Sequence, residues 1–549
     1  MRLNRVTKAL WLSVILLLSS ALAYSQDRDH SSSGSPQSTT KPESDEYLLL
    51  GNPNRGAGEP WVIVNPKDPN NILVVAMATL NRLPTGEAPI RPRLRPGAPF
   101  GMGKLSWTSP GTLLRVKELS VPDGSLTDIA VTQDGGKTWS FGEDDFRKIF
   151  NKNRCSDSFA GAAANGTLYM GCIAYLNRGD ADYAEGYAPN GEARYYHGGS
   201  AIAWSTDKGK TWSKPVWVHP AFSASLYAPT AKPVLEQASP WDRPVFVADA
   251  STGTIYVSGM GLAYTVDPAT VSHPKLNPQL PGKGYQGYPS PNVTRMRTFI
   301  RASRDGGRTW GLIYPMDSDE YPGFVGVYGF SAAFGHLVDA YDATKVPEPG
   351  EKCPCTVLGV SDNDGKSFVH KLVPPLPKEQ PDAEEGRSFC GLSCVMLSAD
   401  PTRQGRYAVA RQAGKRVLIS LTEDGGNTWR PPVVAAEVPA NAIFEHLVMK
   451  YSPSGVLGLV WKAVYPDGSF DEWSSVSLDG AHSFKTVRVS HAISPECVRD
   501  RCNFMLGDDL SSMDIDGEFL YVVWGDNRAG FEGTWFGQVP LMAYEQVSR

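Results

Sequence analysis

The stretch TQDGGKTW, residues 132–139, decides how this chain is read, because it recurs. The pattern Ser/Thr-x-Asp-x-Gly-x-Thr/Ser-Trp/Phe returns, with small departures, as STDKGKTW from Ser205, SRDGGRTW from Ser303, SDNDGKSF from Ser361, TEDGGNTW from Thr422 and SLDGAHSF from Ser477. Successive starts lie 73, 98, 58, 61 and 55 residues apart. Self-similarity of this kind marks a repeat architecture, in which each supersecondary unit buries its faces against its neighbours. Every residue type in the pattern has a mechanical reason. The carboxylate of Asp134, Asp207, Asp305, Asp424 or Asp479 can accept backbone N–H bonds within a tight turn. Gly136 and its equivalents permit positive φ, although Ala481 stands there in the last copy and Asn363 replaces the aspartate in the fourth. The aromatic that follows, such as Trp139 or Phe484, starts the next strand and wedges between neighbouring sheets.

Between these turns a second pattern recurs, a Pro/Gly-punctuated strand followed by a β-rich run, as in PWVIVNP then ILVVAMAT or RPVFVAD then TIYVSGM. Seven such pairs begin near Glu59, Asp157, Asp242, Gly323, Cys390, Glu445 and Asp508. The last continues through LYVVWGD to GTWFGQV, one strand short of a four-stranded sheet, and EYLLLG at 46–51 supplies that strand. Such a closure joins the two ends of a ring and removes two exposed sheet edges. The fold predicted is all-β, a seven-bladed β-propeller over 46–549 closed by its N-terminal strand, with six blades as the alternative.

Ahead of the ring, Arg2, Arg5 and Lys8 precede an apolar run and Ala21-Leu22-Ala23, the layout of a signal peptide over 1–23. Residues 24–45 are polar, Pro-bearing and without apolar period, and are expected to be a disordered linker. Removing the leader takes away three basic residues and no acidic one, so the formal charge of −5 becomes −8. That balance argues against nucleic acid or an anionic membrane surface as partner. All eight cysteines lie after the leader, an even number in an exported chain, which favours disulfides over a zinc site. Cys155 with Cys172 and Cys497 with Cys502 are the local pairs expected, while Cys353, Cys355, Cys390 and Cys394 can pair in several ways. No metal or other cofactor motif is present.

In an up-and-down blade the turn between third and fourth strands lies at the opposite end from the links between blades and between second and third strands. The recurring turns therefore mark one face. Three long insertions, 80–126, 176–199 and 261–297, fall on the other, where binding usually sits on a rigid scaffold. Groups expected to approach that face near the axis are Glu59, Asp157, Asp242, Glu445, His446, Asp508 and Asp509 before first strands. After second strands come Arg411, Lys462, Asp526 and Arg528. Paired carboxylates supply the donor and the nucleophile or base of glycoside hydrolysis, which makes Asp508, Asp509, Glu445, Asp157 and Asp242 the candidate catalytic residues. Arg411, Lys462 and Arg528 could clamp an acidic substrate, and Trp461, Trp524 and Tyr175 could stack on sugar faces.

The six repeats resemble the Asp-box, or BNR, repeats of the sialidase superfamily of β-propellers, over about 46–545. In that superfamily the box is a structural turn between the outer two strands of a blade, so its aspartates are not catalytic. Family sialidases grip a carboxylate with three arginines and use a Tyr–Glu pair as nucleophile with an aspartate as acid/base. The run DDLSSMDIDGEFLYVVW from Asp508 resembles the last inner strand of the family, with Asp509 where a tyrosine is expected. FEHLVMKYSPSGVLGLVWKA resembles the strand that carries the family glutamate, which maps to Glu445, with Lys462 near the place of an arginine. The first-blade Arg-Ile-Pro signature has no counterpart, since Arg91-Pro92 lies in a loop after the second strand. The resemblance implies an extracellular, bacterial, secreted or periplasmic glycoside hydrolase acting on a glycan other than, or besides, a sialoside. A noncatalytic glycan- or protein-binding propeller and a polysaccharide lyase are the alternatives, and the expected state is a monomer with no membrane anchor after cleavage.

Overall fold

The structure, a computed structural model, describes residues 44–51, 56–79, 127–142, 154–176, 196–220, 235–266, 292–343, 355–376, 395–495, 510–529 and 532–546. The leader, nearly all of the linker and most of each long insertion lie outside them. A first strand, β1 (Asp45–Leu50), precedes the ring. Blade 1 is β2 (Gly56–Asn65), β3 (Asp68–Thr79), β4 (Thr127–Thr132) and β5 (Ser140–Phe141). Blade 2 is β6 (Arg154–Ala162), β7 (Leu168–Leu176), β8 (Tyr196–Ser205) and β9 (Val216–Pro220). Blade 3 is β10 (Leu235–Ala248), β11 (Ile255–Val266), β12 (Asn292–Ser303) and β13 (Tyr314–Pro315). Blade 4 is β14 (Phe330–Ala333), β15 (His336–Ala343), β16 (Cys355–Ser361) and β17 (Val369–Leu372). Blade 5 is β18 (Val395–Ala399), β19 (Tyr407–Ala413), β20 (Arg416–Thr422) and β21 (Val433–Glu437). Blade 6 is β22 (Ile443–Tyr451), β23 (Leu457–Val464), β24 (Phe470–Ser477) and β25 (Lys485–Arg488). Blade 7 is β26 (Ser511–Ile515), β27 (Phe519–Asp526) and β28 (Gly533–Pro540).

Every blade is antiparallel in chain order, and β1 completes the seventh by pairing with β28, Tyr47 opposite Phe536. The ring thus has seven blades, and the closing strand is the predicted one, displaced by a single residue. First strands of successive blades are neighbours all the way round, β26 beside β2 included. A middle strand has a blade against each face, so both sets of its alternating side chains are buried. In β3, Ile72, Val74 and Ala76 pack with Tyr521, Val523 and Phe536 of blade 7, while Leu73 and Val75 pack with Phe159 and Met170 of blade 2. This is why such strands read as unbroken apolar runs.

The six repeats adopt one turn. Asp134 accepts from Thr138 N at 2.9 Å, from Thr138 Oγ1 at 2.6 Å and from Thr132 Oγ1 at 2.7 Å, while Thr132 Oγ1 accepts from Gly136 N at 3.0 Å. The Thr138 hydroxyl and amide, with Thr132, hold the Asp134 carboxyl down to about 2. Asn363 reproduces the geometry, accepting from Ser367 N at 3.1 Å and donating from Nδ2 to Ser367 Oγ at 2.9 Å. Ala481 takes a φ of 64° where other copies have glycine. Trp139 is half-buried and meets Phe536 of blade 7 edge-on at 5.3 Å, as a wedge between blades should.

One blade boundary departs from expectation. The first strand of blade 4 begins at Phe330, and Gly323, expected to open it, instead bridges Ala343 at the end of β15. The amide of Gly323 donates to Asp317 Oδ2 at 3.1 Å, which commits this stretch to a link rather than a strand. Cys172 and Cys355 are each disulfide-bonded. The side chains of Cys155, Cys353, Cys390, Cys394, Cys497 and Cys502 lie outside the described residues.

Candidate active site on the bulged inner strands

In each repeat the first residue of the turn pairs with a residue of the second strand: Thr132 with Ile72, Ser205 with Leu168, Ser303 with Ile255, Ser477 with Leu457. Three residues further along that second strand come Val75, Gly171, Ser258 and Val460, which pair with Trp61, Phe159, Val245 and Val448 of the first strands. Immediately before those four the register breaks in every case, between Gly58 and Trp61, Ser156 and Phe159, Asp242 and Val245, and Glu445 and Val448. Four blades therefore carry a β-bulge at one common level. Bulges re-aim a side chain and are favoured at the rims of closed sheets.

The residue within each bulge is in the left-handed region: Glu59 at φ 49°, Asp157 at 45°, Arg243 at 45° and His446 at 51°. Non-glycine residues are uncommon there, and four at equivalent places on innermost strands form a pattern, with strain of order 1–3 kcal/mol at such sites. Two carboxylates, a guanidinium and an imidazole are thus presented at the same height around the axis. Burial drives the His446 imidazole well below its ordinary pKa, and the charges of Lys462 and Arg243 push the same way. That effect also places Arg243 of blade 3 within electrostatic reach of His446 of blade 6. At neutral pH His446 is an uncharged donor and acceptor.

Beside His446 a row of ionisable side chains crosses blade 6, Glu445 opposite Lys462 and Lys462 opposite Glu472. All three are buried. Desolvation pushes Glu472 up to about 8 against the opposing pull of Lys462, with Asp526 and Asp471 adding to the rise. Lys462 is fully enclosed, its Nζ donating to Gly525 O at 3.4 Å and lying 4.7 Å from the Phe470 ring centre. It serves the interface with blade 7 and does not reach the axis as a substrate clamp.

Several other expectations are corrected. Trp461 and Trp524 are 1% and 0% exposed, Trp461 packing on Phe444 and Trp524 donating to Asp526 Oδ2 at 3.1 Å, so neither offers a face to a sugar. Arg411 is buried between blades 4 and 5, donating to Ser420 Oγ at 2.7 Å, and burial lowers its pKa to about 10. Arg528 lies over the Trp535 ring at 3.8 Å, pairs with Asp526 at 3.0 Å and contacts Glu46 of β1, which makes it a fastener of the ring closure. Of Asp242 and Tyr175 only the backbone is described, paired with Met260 and Arg154. Asp508 and Asp509 lie outside the described residues. The structure brings Glu59, Asp157, Glu445 and His446 to the predicted level, and it adds Arg243. A signal for Arg243 exists in the sequence: Glu59, Asp157, Arg243 and His446 each stand two residues before a buried apolar side chain of an inner strand, Trp61, Phe159, Val245 or Val448.

The arrangement can do acid–base chemistry. Carboxylates at Glu59, Asp157 and Glu445, with a neutral imidazole at His446, span the proton-donor and proton-acceptor roles that hydrolysis at an acetal centre requires.

No protein-family profile matches the chain, and no curated protein is a significant match. Among solved structures it is similar to a protein of unknown function from Dyadobacter fermentans, with 13% identity, TM-score 0.42 and coverage of 91% of this chain and 98% of that one. It is also similar to the Hadza microbial sialidase Hz136, at 15% identity and TM-score 0.38 over 77% of this chain and 75% of that one. A third similarity is to the α-L-arabinanase of Penicillium chrysogenum, at 12% identity and TM-score 0.37 over 71% and 94%. Likenesses this weak carry no weight for activity, and the seven sheets themselves establish the propeller.

Proposed function

We propose that the chain is an exported enzyme that hydrolyses glycosidic bonds in extracellular glycans, working at the face where the inner strands bulge. The observation that carries this reading is the common level of Glu59, Asp157, Arg243 and His446, four left-handed residues on innermost strands. Glu59, Asp157 and Glu445 are the acids assigned to proton donation and to nucleophilic or base attack, and Arg243 is the group for an anionic or hydroxyl-rich substrate. Export is supported by the basic and then apolar start of the chain and by its even cysteine count.

Purified protein assayed on a panel of aryl glycosides and acidic polysaccharides tests it. Glu59→Gln, Asp157→Asn and Glu445→Gln are each expected to fold, and at least two to lower kcat by about 100-fold or more, the usual worth of a lost acid or base. Turnover that none of the three changes removes the site from this face. Tight glycan binding without turnover makes the propeller a binding module, and an ultraviolet-absorbing unsaturated product makes it a lyase.

A further inference from the structure

In blades 1, 2, 3 and 6 the bulge level is occupied by a left-handed residue, and in blade 4 by something else. There the residue three places beyond the Leu337–Ser361 pair is Ala340, whose amide donates to Gly329 O at 2.7 Å. The preceding residue, Tyr328, therefore stands at the height of the bulges, in the link that leads into β14. Its carbonyl accepts from Leu397 N of blade 5 at 3.0 Å. Its hydroxyl donates to the carbonyl of Ser511, the first residue of β26 in blade 7, and its ring lies 5.5 Å from that of Trp61 in blade 1. In a ring of seven, blades 7 and 1 are the two opposite blade 4. A side chain that leaves blade 4 and touches both has crossed the axis. Consistent with this, Tyr328 packs against three of the core clusters, which between them draw on every blade, and it remains half-buried.

We propose that Tyr328 is a positioning residue, an aromatic bolt across the channel that fixes blades 1, 5 and 7 relative to one another and forms the floor beneath the bulge ring. Its effect on chemistry passes through Trp61, two residues after Glu59, and rests on the hydrolase reading above. Small displacements of catalytic groups are costly in rate, so Tyr328 acts on turnover more than on substrate capture.

The test uses the full-length protein and the variants Tyr328→Phe and Tyr328→Leu. Hydrogen–deuterium exchange is followed in peptides covering 56–64 and 511–515, with the turn peptide 303–310 as control. Tyr328→Phe keeps the ring and loses only the hydroxyl; it is expected to speed exchange at 511–515 and leave 303–310 unchanged. Tyr328→Leu should extend the effect to 56–64. Unchanged exchange at 511–515 in Tyr328→Phe overturns the bolt. On a substrate that the wild type turns over, kcat of Tyr328→Phe is expected to fall about fivefold, the worth of one neutral hydrogen bond, with KM within about twofold. An altered KM with intact kcat, or altered exchange with intact kcat, overturns the positioning role. If no glycan is turned over by the wild type, the hydrolase reading fails while the exchange data still decide whether Tyr328 spans the axis.

Discussion

At the turns between third and fourth strands, Asp134, Asp207, Asp305, Asp424 and Asp479 are all held at about 2. Between blades 6 and 7, Glu472 is pushed up to about 8, and burial also raises Asp526. The same functional group is thus driven in opposite directions within one scaffold. At the turns it stays near water and is satisfied by a hydroxyl and amides two to four residues away, a solution that can be copied in every blade. Between the blades it is enclosed, and its charge depends on what the neighbouring blade supplies. Local satisfaction repeats, whereas long-range satisfaction is made once, which is why the repeated end is scaffold and the unrepeated end is where chemistry can be placed.

The largest break in this comparison comes from two lysines. Lys462 is enclosed beside Glu445 and Glu472, while Lys208 at a repeat turn contacts Asp68 at 2.6 Å with its side chain 49% exposed. Removing one member of a buried charge cluster costs about 3–5 kcal/mol, and an exposed pair is worth about 0–1 kcal/mol. Lys462→Met is therefore expected to lower thermal stability strongly and Lys208→Met hardly at all, measured side by side by calorimetry. Equal losses would mean that enclosure between blades is not what distinguishes the two ends.

A second measurement sharpens the comparison through pH. The folded protein keeps a proton on Glu472 up to about 8, whereas its ordinary value is 4.5. Between those values the folded state binds more protons than the unfolded chain, so this group makes stability fall as pH rises. The loss begins near 4.5 and is complete above 8. Glu472→Gln should match the wild type near pH 4.5 and exceed it at pH 9 by about 2 kcal/mol, less than the full burial penalty because water and relaxation soften it. A constant difference across pH would show that Glu472 does not titrate in this window.

The repeat turns, the blade number and the closing strand were legible from sequence because each rests on contacts within a few residues or on period. Residues at the bulge level were legible only where the signal was local. Asp157 and the pair Glu445-His446 stand within two residues of an apolar run, but so does the pair Asp242-Arg243, and which of two adjacent residues takes the left-handed place is set by cross-strand register. Trp461 and Trp524 looked like channel-facing aromatics because they end second strands. Burial on both faces of a middle strand overrides that, since its alternating side chains point at neighbouring blades and not at the axis. Tyr328 lies in the run GFVGVYGF, where apolar character suggested a strand, and its reach across the ring depends on the closure of seven blades.

The smallest expected effect concerns the turn itself. Asp305 accepts from Thr309 N at 2.9 Å, Thr309 Oγ1 at 2.6 Å and Ser303 Oγ at 2.8 Å. Desolvation raises its pKa, but these bonds outweigh it and bring it to about 2. Asn363 shows that an amide oxygen serves in the same turn. Asp305→Asn should therefore be nearly neutral at pH 7, while Asp305→Ala, which leaves Thr309 N and both hydroxyls without their acceptor, should lower Tm by about 1–2 °C for a ring of this size. The acid side gives a sharper reading. A carboxyl held below its ordinary value of 3.8 stabilises the fold above that value and loses the contribution as pH falls through about 2. Any wild-type advantage over Asp305→Asn should accordingly shrink as pH falls below 3.8 and vanish below about pH 2. A difference that persists there would assign the aspartate a role beyond charge-assisted turn bonds, and the contrast between the two ends of the blades would lose its simplest explanation.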